Sequence, residues 1–495
     1  QGAVVRWCGG RLLQRNAPWG SFCTDPVSMA MAFVERLPVA SLPPSLRLAP
    51  VSLSARHSSQ LLSSEAVSRT KAPAEGRGLG TATAAVAFGA LAAARRLDGT
   101  RAASRAWPRG CTLRAAASGA VGLPTLHLGI VGFGLVGKEL VNQVIASASA
   151  LEEELGVHVE VAAVARSKSM VLLPPGGQSA LAGSAWPEGE EPVDLGKLGE
   201  HVLAAAAASG GRALIVDNTA SDAPVEFYEG WLAAGADVAT PNKRAGSGPY
   251  ARYEKITAAA RSGGSRFLYE ATVGAGLPIV GPLQALRRAG DSVEKVEGIF
   301  SGTLSYIFNT WKPGVKFSEV VAEAKAKGFT EPDPRDDLSG TDVQRKVTIL
   351  ARELGLKLEL DDVPVKSLVP EALQDWSPQD GANLGDAFVE GLRAYDDEMD
   401  SLIAEAEAAG EVLRFVGAID VAAGSAAVKL GRYPKDHPFA STQFADNIVA
   451  FDTKWYTPRP LVVQGPGAGA EVTAAGVFSN VMEVMSGMKK PAARV

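Results

Sequence analysis

Residues 126–137, which read LHLGIVGFGLVG, restrict the fold more strongly than any other part of the chain. Residues 126–131 form an apolar run that predicts a buried strand, and residues 138–151 show helical periodicity. Between them lie three glycines with the spacing of a nucleotide-binding loop, Gly132, Gly134 and Gly137. Such a loop places a helix N-terminus against a pyrophosphate. The segment therefore predicts a dinucleotide-binding α/β domain, and a glycine-rich turn without a ligand is the alternative.

The side chains that follow the next strands indicate which cofactor is bound. The strand predicted at 157–165 ends in Arg166-Ser-Lys168, where a site that prefers NAD commonly carries an acid. Cations there suit the 2′-phosphate of NADP, although an arginine at a strand end is often only a surface residue. Asn218 and Thr219 follow a further buried strand and offer polar contacts. We therefore predict NADPH, with NADH as the alternative. The loop residues assigned to the cofactor are Gly132, Phe133, Gly134, Leu135, Val136 and Gly137.

A second stretch, residues 328–346, concentrates five acidic side chains around Arg335. Pro332 and Pro334 exclude a helix from its first half, because proline fixes φ and lacks the amide donor. Ser339 then suits the hydroxyl cap of a helix, with an acidic residue three positions later. The stretch is therefore predicted to be a stiff acidic loop that runs into a helix.

Two charged residues of that helix are predicted to lie on one face. Asp342 and Lys346 are four residues apart, and Asp337 precedes the same turn. A lysine held among acids can bind, orient and protonate a substrate oxygen. The alternative is a solvated charged loop followed by a weak surface ion pair.

Charge and cysteine content divide the chain into a basic leader and an acidic body. Residues 1–120 hold 15 Lys and Arg against 5 Asp and Glu, and the remainder holds 34 against 49. An acidic body does not favour nucleic-acid binding. Because all three cysteines lie in the leader, the body contains neither disulfides nor cysteine metal ligands.

The leader has the composition of an organelle transit segment, rich in Ala, Ser, Arg and Leu and poor in acids. We expect import into a plastid in preference to a mitochondrial or cytosolic location. The alternative is a disordered tail that carries no targeting signal. Its apolar run at 81–94 is short for a membrane span, and we expect no membrane association of the mature body.

The acid–lysine stretch resembles homoserine dehydrogenase, and the resemblance extends from about residue 126 to the C-terminus. It implies reversible, NADPH-dependent reduction of L-aspartate 4-semialdehyde to L-homoserine, a step of threonine, methionine and isoleucine biosynthesis. It also implies a homodimer. With no kinase-like region before the body, we expect a monofunctional enzyme. The alternatives are a related amino-aldehyde dehydrogenase and a catalytically silent NADP-binding regulatory subunit.

The resemblance also implies roles for individual residues. Lys346 is the general acid and base, Asp337 and Asp342 orient it, and Lys243 lies near the nicotinamide and substrate. The residues implied to bind substrate are Glu331, Asp342 and Gly328. A monovalent cation, sodium, is implied at the Glu270 side chain and the backbone carbonyls of Val273, Ala275 and Leu277. A second glycine-rich loop, 465–476, is implied to close the cofactor site, with Gly469 in contact.

The predicted architecture has three parts. A targeting leader covers 1–122. A Rossmann-type dinucleotide-binding domain covers 123–268 and is completed by 441–495. An α+β catalytic and dimerisation domain with a mixed sheet covers 269–440. Residues 170–192 are predicted to be loop, because they contain Pro174-Pro-Gly-Gly177 and an acidic patch.

Overall fold

The computed structural model describes residues 122–378, 381 and 383–488. The predicted leader, with its three cysteines and its apolar run, lies outside the described residues apart from Gly122. Within the described part of the chain, twelve strands form two β-sheets.

The first sheet has seven strands. They are β1 (Thr125–Val131), β2 (His158–Ala165), β3 (Ser169–Leu172), β4 (Glu191–Pro192), β5 (Arg212–Asp217), β6 (Asp237–Ala239) and β7 (Phe267–Leu268). Their order is β4-β3-β2-β1-β5-β6-β7. Strands β2, β1, β5, β6 and β7 are parallel to one another. Strand β3 pairs antiparallel with β2 at one edge of the sheet, and β4 pairs antiparallel with β3. The loop prediction for 170–192 is therefore wrong at both ends, which are strands, and at Gly177–Ser184, a 3₁₀ segment, while 173–176 and 185–190 are loop. Edge strands this short leave little alternation in the sequence.

Helices cover both faces of this sheet. They are α1 (Leu135–Leu155), α2 (Leu195–Ser209), α3 (Val225–Ala233), α4 (Lys243–Ser247) and α5 (Tyr250–Gly263). Along β5, Leu214 and Val216 enter the core beneath α1, while Ile215 enters the core beneath α2, α3 and α5. Burial on both faces explains why these strands read as continuous apolar runs. The predicted strands at 126–131 and 157–165 and the helical pattern at 138–151 are confirmed.

The second sheet has five strands. They are β8 (Val293–Ile299), β9 (Glu411–Asp420), β10 (Ser425–Pro434), β11 (Asp446–Thr453) and β12 (Leu461–Pro466). In the order β10-β9-β8-β11-β12, every neighbouring pair is antiparallel. The mixed sheet is thus the first one and not, as predicted, the second. In the second sheet the only parallel pairing among described residues is an isolated bridge between Val365 and Val428.

Nine further helices follow α5 in the described part of the chain. They are α6 (Val280–Arg288), α7 (Gly302–Thr310), α8 (Phe317–Ala326), α9 (Arg335–Leu338), α10 (Thr341–Glu353), α11 (Glu371–Gln374), α12 (Leu384–Leu392), α13 (Asp396–Ala408) and α14 (Ala470–Ser486). The helix α10 lies across the sheet, and Gly417 of β9 leaves the space that Val347 fills. None of the helices seen in the described residues has both the length and the apolar content of a membrane span.

The C-terminal segment belongs to both halves of the fold. We expected residues 441–495 to complete the dinucleotide domain, but β11 and β12 pair within the second sheet. The last helix, α14, returns to the first half and packs against α1. Its buried residues Val477, Val481 and Val484 belong to the core beneath α1.

The close packing of α2 on α3 gives a prediction for stability. A Cβ at Gly199 would overlap the indole of Trp231, which is fully buried and cannot move aside. We expect Gly199→Ala to lower the free energy of unfolding by about 1–3 kcal/mol, the usual cost of overpacking. Chemical denaturation measures this change.

The matched control is Gly196→Ala in the same helix, where an added Cβ meets Asp194 Oδ1 at 3.2 Å and Phe227 at 3.8 Å. Alanine has the higher helix propensity, so this variant is expected to be neutral or slightly more stable. Equal stability of both variants would contradict the packing argument.

Candidate active site

The glycine-rich loop lies at the carboxyl end of β1 and borders a cavity of about 810 Å³. Gly132 has a positive φ of 86°, and its N–H and that of Phe133 both donate to the Ala165 carbonyl at the end of β2 (2.9 and 3.0 Å). A Cβ at Gly137 would overlap the carbonyl oxygen of Gly132, so only glycine allows α1 to start this close to the loop. The sequence thus fixes the tight strand–helix turn that a pyrophosphate requires.

The predicted cofactor residues divide into two sets. Gly132, Phe133, Gly134, Arg166, Asn218 and Thr219 line this first cavity. Leu135, Val136, Gly137 and Lys168 lie around it without lining it. Both side-chain polar atoms of Asn218 are buried without a hydrogen-bond partner. A buried amide of this kind needs a ligand to satisfy it, which fits a bound dinucleotide.

Arg166 is held by an aromatic side chain that the sequence did not single out. Its guanidinium lies over the ring of Trp186, 3.5 Å from the ring centroid. Trp186 in turn packs against Phe133 of the glycine-rich loop, with 5.7 Å between ring centroids. No local sequence signal pointed to Trp186, because it lies in the segment predicted to be loop.

A buried carboxylate joins the first cavity to the segment that carries Lys243. Asp217 is fully buried at the end of β5 and accepts hydrogen bonds from the Thr219 N–H (2.8 Å), the Tyr228 hydroxyl (2.6 Å) and Asn242 Nδ2 (2.9 Å). Asn242 is the N-cap of α4, whose first residue is Lys243. Because β5 and β6 are parallel neighbours, their polar ends meet at one edge of the sheet.

The acid–lysine stretch folds as a short turn of helix, α9, followed by α10. Gly340 is the N-cap of α10 and has a φ of 75°, which only glycine adopts readily. The predicted hydroxyl cap is wrong by one residue: Ser339 Oγ lies before the cap and accepts from the Thr341 N–H (3.2 Å). The helix itself is confirmed. It ends at Glu353, and Gly355 follows with a φ of 91°.

Asp342 and Lys346 share one face of α10 as predicted, and the lysine end of the pair is buried while the Asp342 side chain is 48% exposed. Lys346 Nζ lies 2.8 Å from Asp342 Oδ2 and donates to the Phe300 carbonyl at 2.7 Å. Only 8% of Lys346 is exposed. Lys243 Nζ reaches the other carboxylate oxygen, Asp342 Oδ1, at 3.2 Å. One carboxylate from the second half of the fold therefore holds lysines from both halves.

Opposed effects set the protonation of this cluster. Desolvation disfavours the Asp342 carboxylate, but Lys346 and Lys243 outweigh it and hold the pKa of Asp342 well below its usual range. Burial lowers the pKa of the Lys346 ammonium; Asp342 opposes that effect and Lys243 adds to it. Lys346 therefore releases its proton more readily than a lysine in water does, as a lysine that alternates between acid and base requires.

A second cavity, of about 500 Å³, opens beside this cluster. Its lining includes Lys243, Ser301, Glu331, Asp337 and Asp342. Asp337 Oδ2 accepts the Glu331 N–H at 2.8 Å, and burial raises the pKa of Asp337 against the effect of that hydrogen bond. Gly328 is exposed after α8 with a φ of 72° and does not line this cavity.

The C-terminal glycine-rich loop approaches Lys346 through Asn447. Asn447 is fully buried and donates from Nδ2 to the same Phe300 carbonyl that Lys346 contacts (3.2 Å). Gly467 packs directly on the Asn447 amide, because an added Cβ there would overlap it. Gly469 is exposed at the N-cap of α14 and lies outside the lining of the first cavity.

Glu270 supports the start of a helix. Its Oε1 accepts the N–H groups of Ile279 (2.6 Å) and Val280 (2.8 Å), and its Oε2 accepts that of Gly281 (2.6 Å). Burial raises the pKa of Glu270, while these three N–H groups lower it. The carboxylate therefore caps the N-terminus of α6.

The other predicted cation ligands lie in the turn between Glu270 and α6. This turn contains two successive residues with positive φ, Gly274 (76°) and Ala275 (56°). Val273 and Ala275 are buried, and Leu277 packs against the core. Across the residues that the structure describes, no group of three or more His, Cys, Asp or Glu side chains is placed to hold a metal ion.

The fold and its two cavities define a class of protein: a two-domain enzyme with a dinucleotide site on one domain and a lysine–carboxylate site on the other. Two family models match this arrangement, "Homoserine dehydrogenase, NAD binding domain" over residues 132–270 and "Homoserine dehydrogenase" over residues 278–482. The chain belongs to the homoserine dehydrogenase family.

Individual proteins show the same likeness. Homoserine dehydrogenase of Saccharomyces cerevisiae is 40% identical over 365 residues, which cover 72% of this chain and 98% of the yeast protein. A chloroplastic bifunctional aspartokinase/homoserine dehydrogenase of Zea mays is 46% identical over 367 residues, which cover 74% of this chain and 39% of the maize protein. This chain thus matches well under half the length of the bifunctional relative.

A solved structure shows the same fold. A hyperthermophilic archaeal homoserine dehydrogenase in complex with NADPH has a TM-score of 0.54 and 19% identity. The likeness covers 74% of this chain and 99% of the archaeal chain. At that identity the likeness concerns the fold.

The open space at Gly134 gives a prediction for cofactor binding. An added Cβ at Gly134 meets no atom within 4 Å, so Gly134→Ala is expected to fold with unchanged thermal stability. The methyl group would occupy space that a pyrophosphate needs, and we expect NADPH affinity to fall by about tenfold or more. Fluorescence titration with NADPH measures this loss.

The contrasting variant is Gly137→Ala, whose Cβ overlaps backbone and which is expected to lose both stability and NADPH binding. Wild-type NADPH affinity in a folded Gly134→Ala protein would show that the loop does not hold the pyrophosphate.

Proposed function

We propose that the chain is a homoserine dehydrogenase that interconverts L-aspartate 4-semialdehyde and L-homoserine with NADPH. The observation that carries the proposal is the geometry of Lys346. A lysine ammonium has three N–H donors, and among the described residues Phe300 and Asp342 take two of them. The third is proposed to serve a substrate oxygen; Lys346 itself does not line the second cavity, which its partner Asp342 borders.

The proton chemistry follows from this arrangement. A nicotinamide bound on the first domain supplies or accepts the hydride at the aldehyde carbon. In reduction, the carbonyl oxygen gains negative charge and Lys346 donates a proton to it; in oxidation, neutral Lys346 accepts the hydroxyl proton. Asp342 holds the ammonium in place, and its low pKa keeps it ionised throughout. Asp337 supports the same site from the preceding turn.

The second cavity suits an amino-acid substrate. Glu331 offers a carboxylate for the substrate ammonium, and Lys243 offers a cation for the substrate carboxylate or the reacting oxygen. Such ion pairs gain strength when a site closes and water leaves. Gly328 follows α8 and does not line this cavity, so it is proposed to contact the substrate only through its backbone.

The cofactor preference rests on Arg166. It lines the first cavity at the end of β2, a strand that no acidic residue follows directly in the sequence. Asp194 also lines this cavity, but its Oδ1 caps α2 by accepting the Lys197 N–H at 3.0 Å. A guanidinium there suits the 2′-phosphate of NADPH. Lys168 adds positive charge two residues further on, and Gly469, the N-cap of α14, is proposed as a further cofactor contact.

A bound monovalent cation, sodium, forms part of the proposal. Glu270 keeps lone pairs beyond its three N–H bonds, and the positive φ values of Gly274 and Ala275 curl the backbone that carries the proposed carbonyl ligands. Oxygen ligands of this kind suit a hard cation. Turnover in sodium compared with choline salts tests it, and equal rates would remove the cation from the proposal.

Location and assembly complete the proposal. The names of the maize relatives describe them as chloroplastic, and together with the basic composition of 1–120 this favours a plastid. A fluorescent protein fused after residue 121 reports the location. The second domain is proposed to form a homodimer, which light scattering measures.

The role of Lys346 is tested by its removal. We expect Lys346→Ala to fold and bind NADPH, and to lose at least about a hundredfold in turnover of L-aspartate 4-semialdehyde, since general acid catalysis commonly contributes at least that much. Steady-state NADPH oxidation measures the loss, with NADH assayed in parallel. Lys357→Ala, which removes an exposed lysine beyond the same helix, is the control.

Near-normal turnover of Lys346→Ala would assign the proton transfer to another group. Absence of turnover in folded wild-type protein that binds NADPH would instead favour a regulatory subunit.

Asp342 gives a prediction for pH dependence. Its charge raises the pKa of Lys346 against the effect of burial, so Asp342→Asn lowers that pKa further. In the reducing direction protonated Lys346 is required, and its loss sets the basic limb of the profile of kcat/KM. We expect this limb to move to lower pH by about one unit or more in Asp342→Asn. An unchanged limb, or one moved to higher pH, would contradict the assignment.

A further inference from the structure

The contact between Arg166 and Trp186 is not explained by the fold alone. Arg166 is exposed at the end of β2, and an exposed arginine ordinarily samples many rotamers. Here the central carbon (Cζ) of its guanidinium lies over the Trp186 ring, 3.5 Å from the ring centroid. Stacking of this kind stabilises an exposed arginine by about 0.5–1 kcal/mol and fixes the plane of its five donors.

Trp186 is itself held in place from two directions. Its indole N–H donates to Glu190 Oε2 at 3.1 Å, and its ring packs against Phe133 of the glycine-rich loop. The short strand β4 follows at once and pairs with β3, which ties this segment to the sheet edge beside β2. The edge strands therefore bring a rigid aromatic platform to the rim of the first cavity.

We propose that Trp186 is a positioning residue for cofactor specificity: it holds the Arg166 guanidinium in the orientation that binds the 2′-phosphate of NADPH. The inference rests on the proposed function, because it deepens the cofactor preference stated there. A bound phosphate needs a planar, bidentate donor, and a guanidinium already immobilised loses less conformational entropy when it binds. Trp186 acts through Arg166 and not by contact with the cofactor.

A direct role for Trp186 makes a different prediction. If the adenine ring stacked on the indole, loss of Trp186 would weaken every adenine nucleotide to the same extent, with or without a 2′-phosphate. The geometry favours the indirect role, because the guanidinium already covers one face of the indole. The two roles are separated by comparing ligands that differ only in that phosphate.

The experiment is a double-mutant cycle measured by calorimetric titration with 2′,5′-ADP and with 5′-AMP. We expect Trp186→Ala to weaken 2′,5′-ADP binding about three- to tenfold, the effect of losing one cation–π contact and its ordering, and to leave 5′-AMP binding unchanged. In the Arg166→Ala background, Trp186→Ala is expected to have no further effect. Trp186→Phe, which keeps an aromatic face, is expected to restore most of the 2′,5′-ADP affinity.

Two controls accompany the cycle. Trp455→Ala removes a tryptophan that is 55% exposed and belongs to the turn after β11, and it is expected to bind both ligands as the wild type does. Thermal denaturation shows whether Trp186→Ala remains folded.

Four results would overturn the inference. Equal weakening of both ligands, or a further loss in the Arg166→Ala background, would show direct contact with the nucleotide. Unchanged 2′,5′-ADP binding by Trp186→Ala, with the wild type still preferring 2′,5′-ADP, would remove Trp186 from recognition and leave the proposed function intact. A wild type without preference between the two ligands would overturn the NADPH assignment as well.

Discussion

One buried carboxylate, which has no ionic partner among the residues that the structure describes, organises the contact between the two halves of this protein. Asp217 is fully buried, and a buried charge of this kind is tolerated only when donors surround it. The hydroxyl of Tyr228, the amide of Asn242 and the N–H of Thr219 supply those donors. Each belongs to a different part of the strand-end region, so these hydrogen bonds fix Thr219 beside the first cavity and the start of α4 together. Lys243 is placed against Asp342 as a consequence.

Asp342 is a second carboxylate that links the two halves, and its partners are lysines. It receives Lys243 from one domain and Lys346 from the other, so the two lysines, which repel each other, are held at one carboxylate. The repulsion and the burial both lower the pKa of Lys346, and the carboxylate limits how far it falls. The proposed site for proton transfer thus includes the one of these ion pairs, Lys243–Asp342, that joins the two halves of the fold.

The sequence predicted the parts of the fold that have long, regular patterns. The strand and glycine loop at 126–137 and the helix that carries Lys346 have such patterns, and both are confirmed. The strands β3 and β4 have four and two residues, too few for alternation to show, and they were predicted to be loop. The pairing of Asp342 with Lys346 could be predicted from their helical spacing. The hydrogen bond from Lys346 to the Phe300 carbonyl could not, because every residue has a carbonyl and only tertiary packing brings this one to the lysine. Trp186 was missed for the same reason: its partner is remote in sequence.

The path of α14 has a consequence for how the chain folds. Its apolar face fills the core beneath α1, so the first domain takes its first and last core residues from segments separated by the whole second domain. Bringing α1 and α14 together closes a long chain segment, which costs conformational entropy. The packing of Val477, Val481 and Val484 in the core beneath α1 compensates for that cost. Contacts of such long sequence separation raise the contact order of a fold, which goes with slower folding. The core of the dinucleotide domain therefore needs the last helix of the described chain, and α1 has its full apolar cover only when α14 is present.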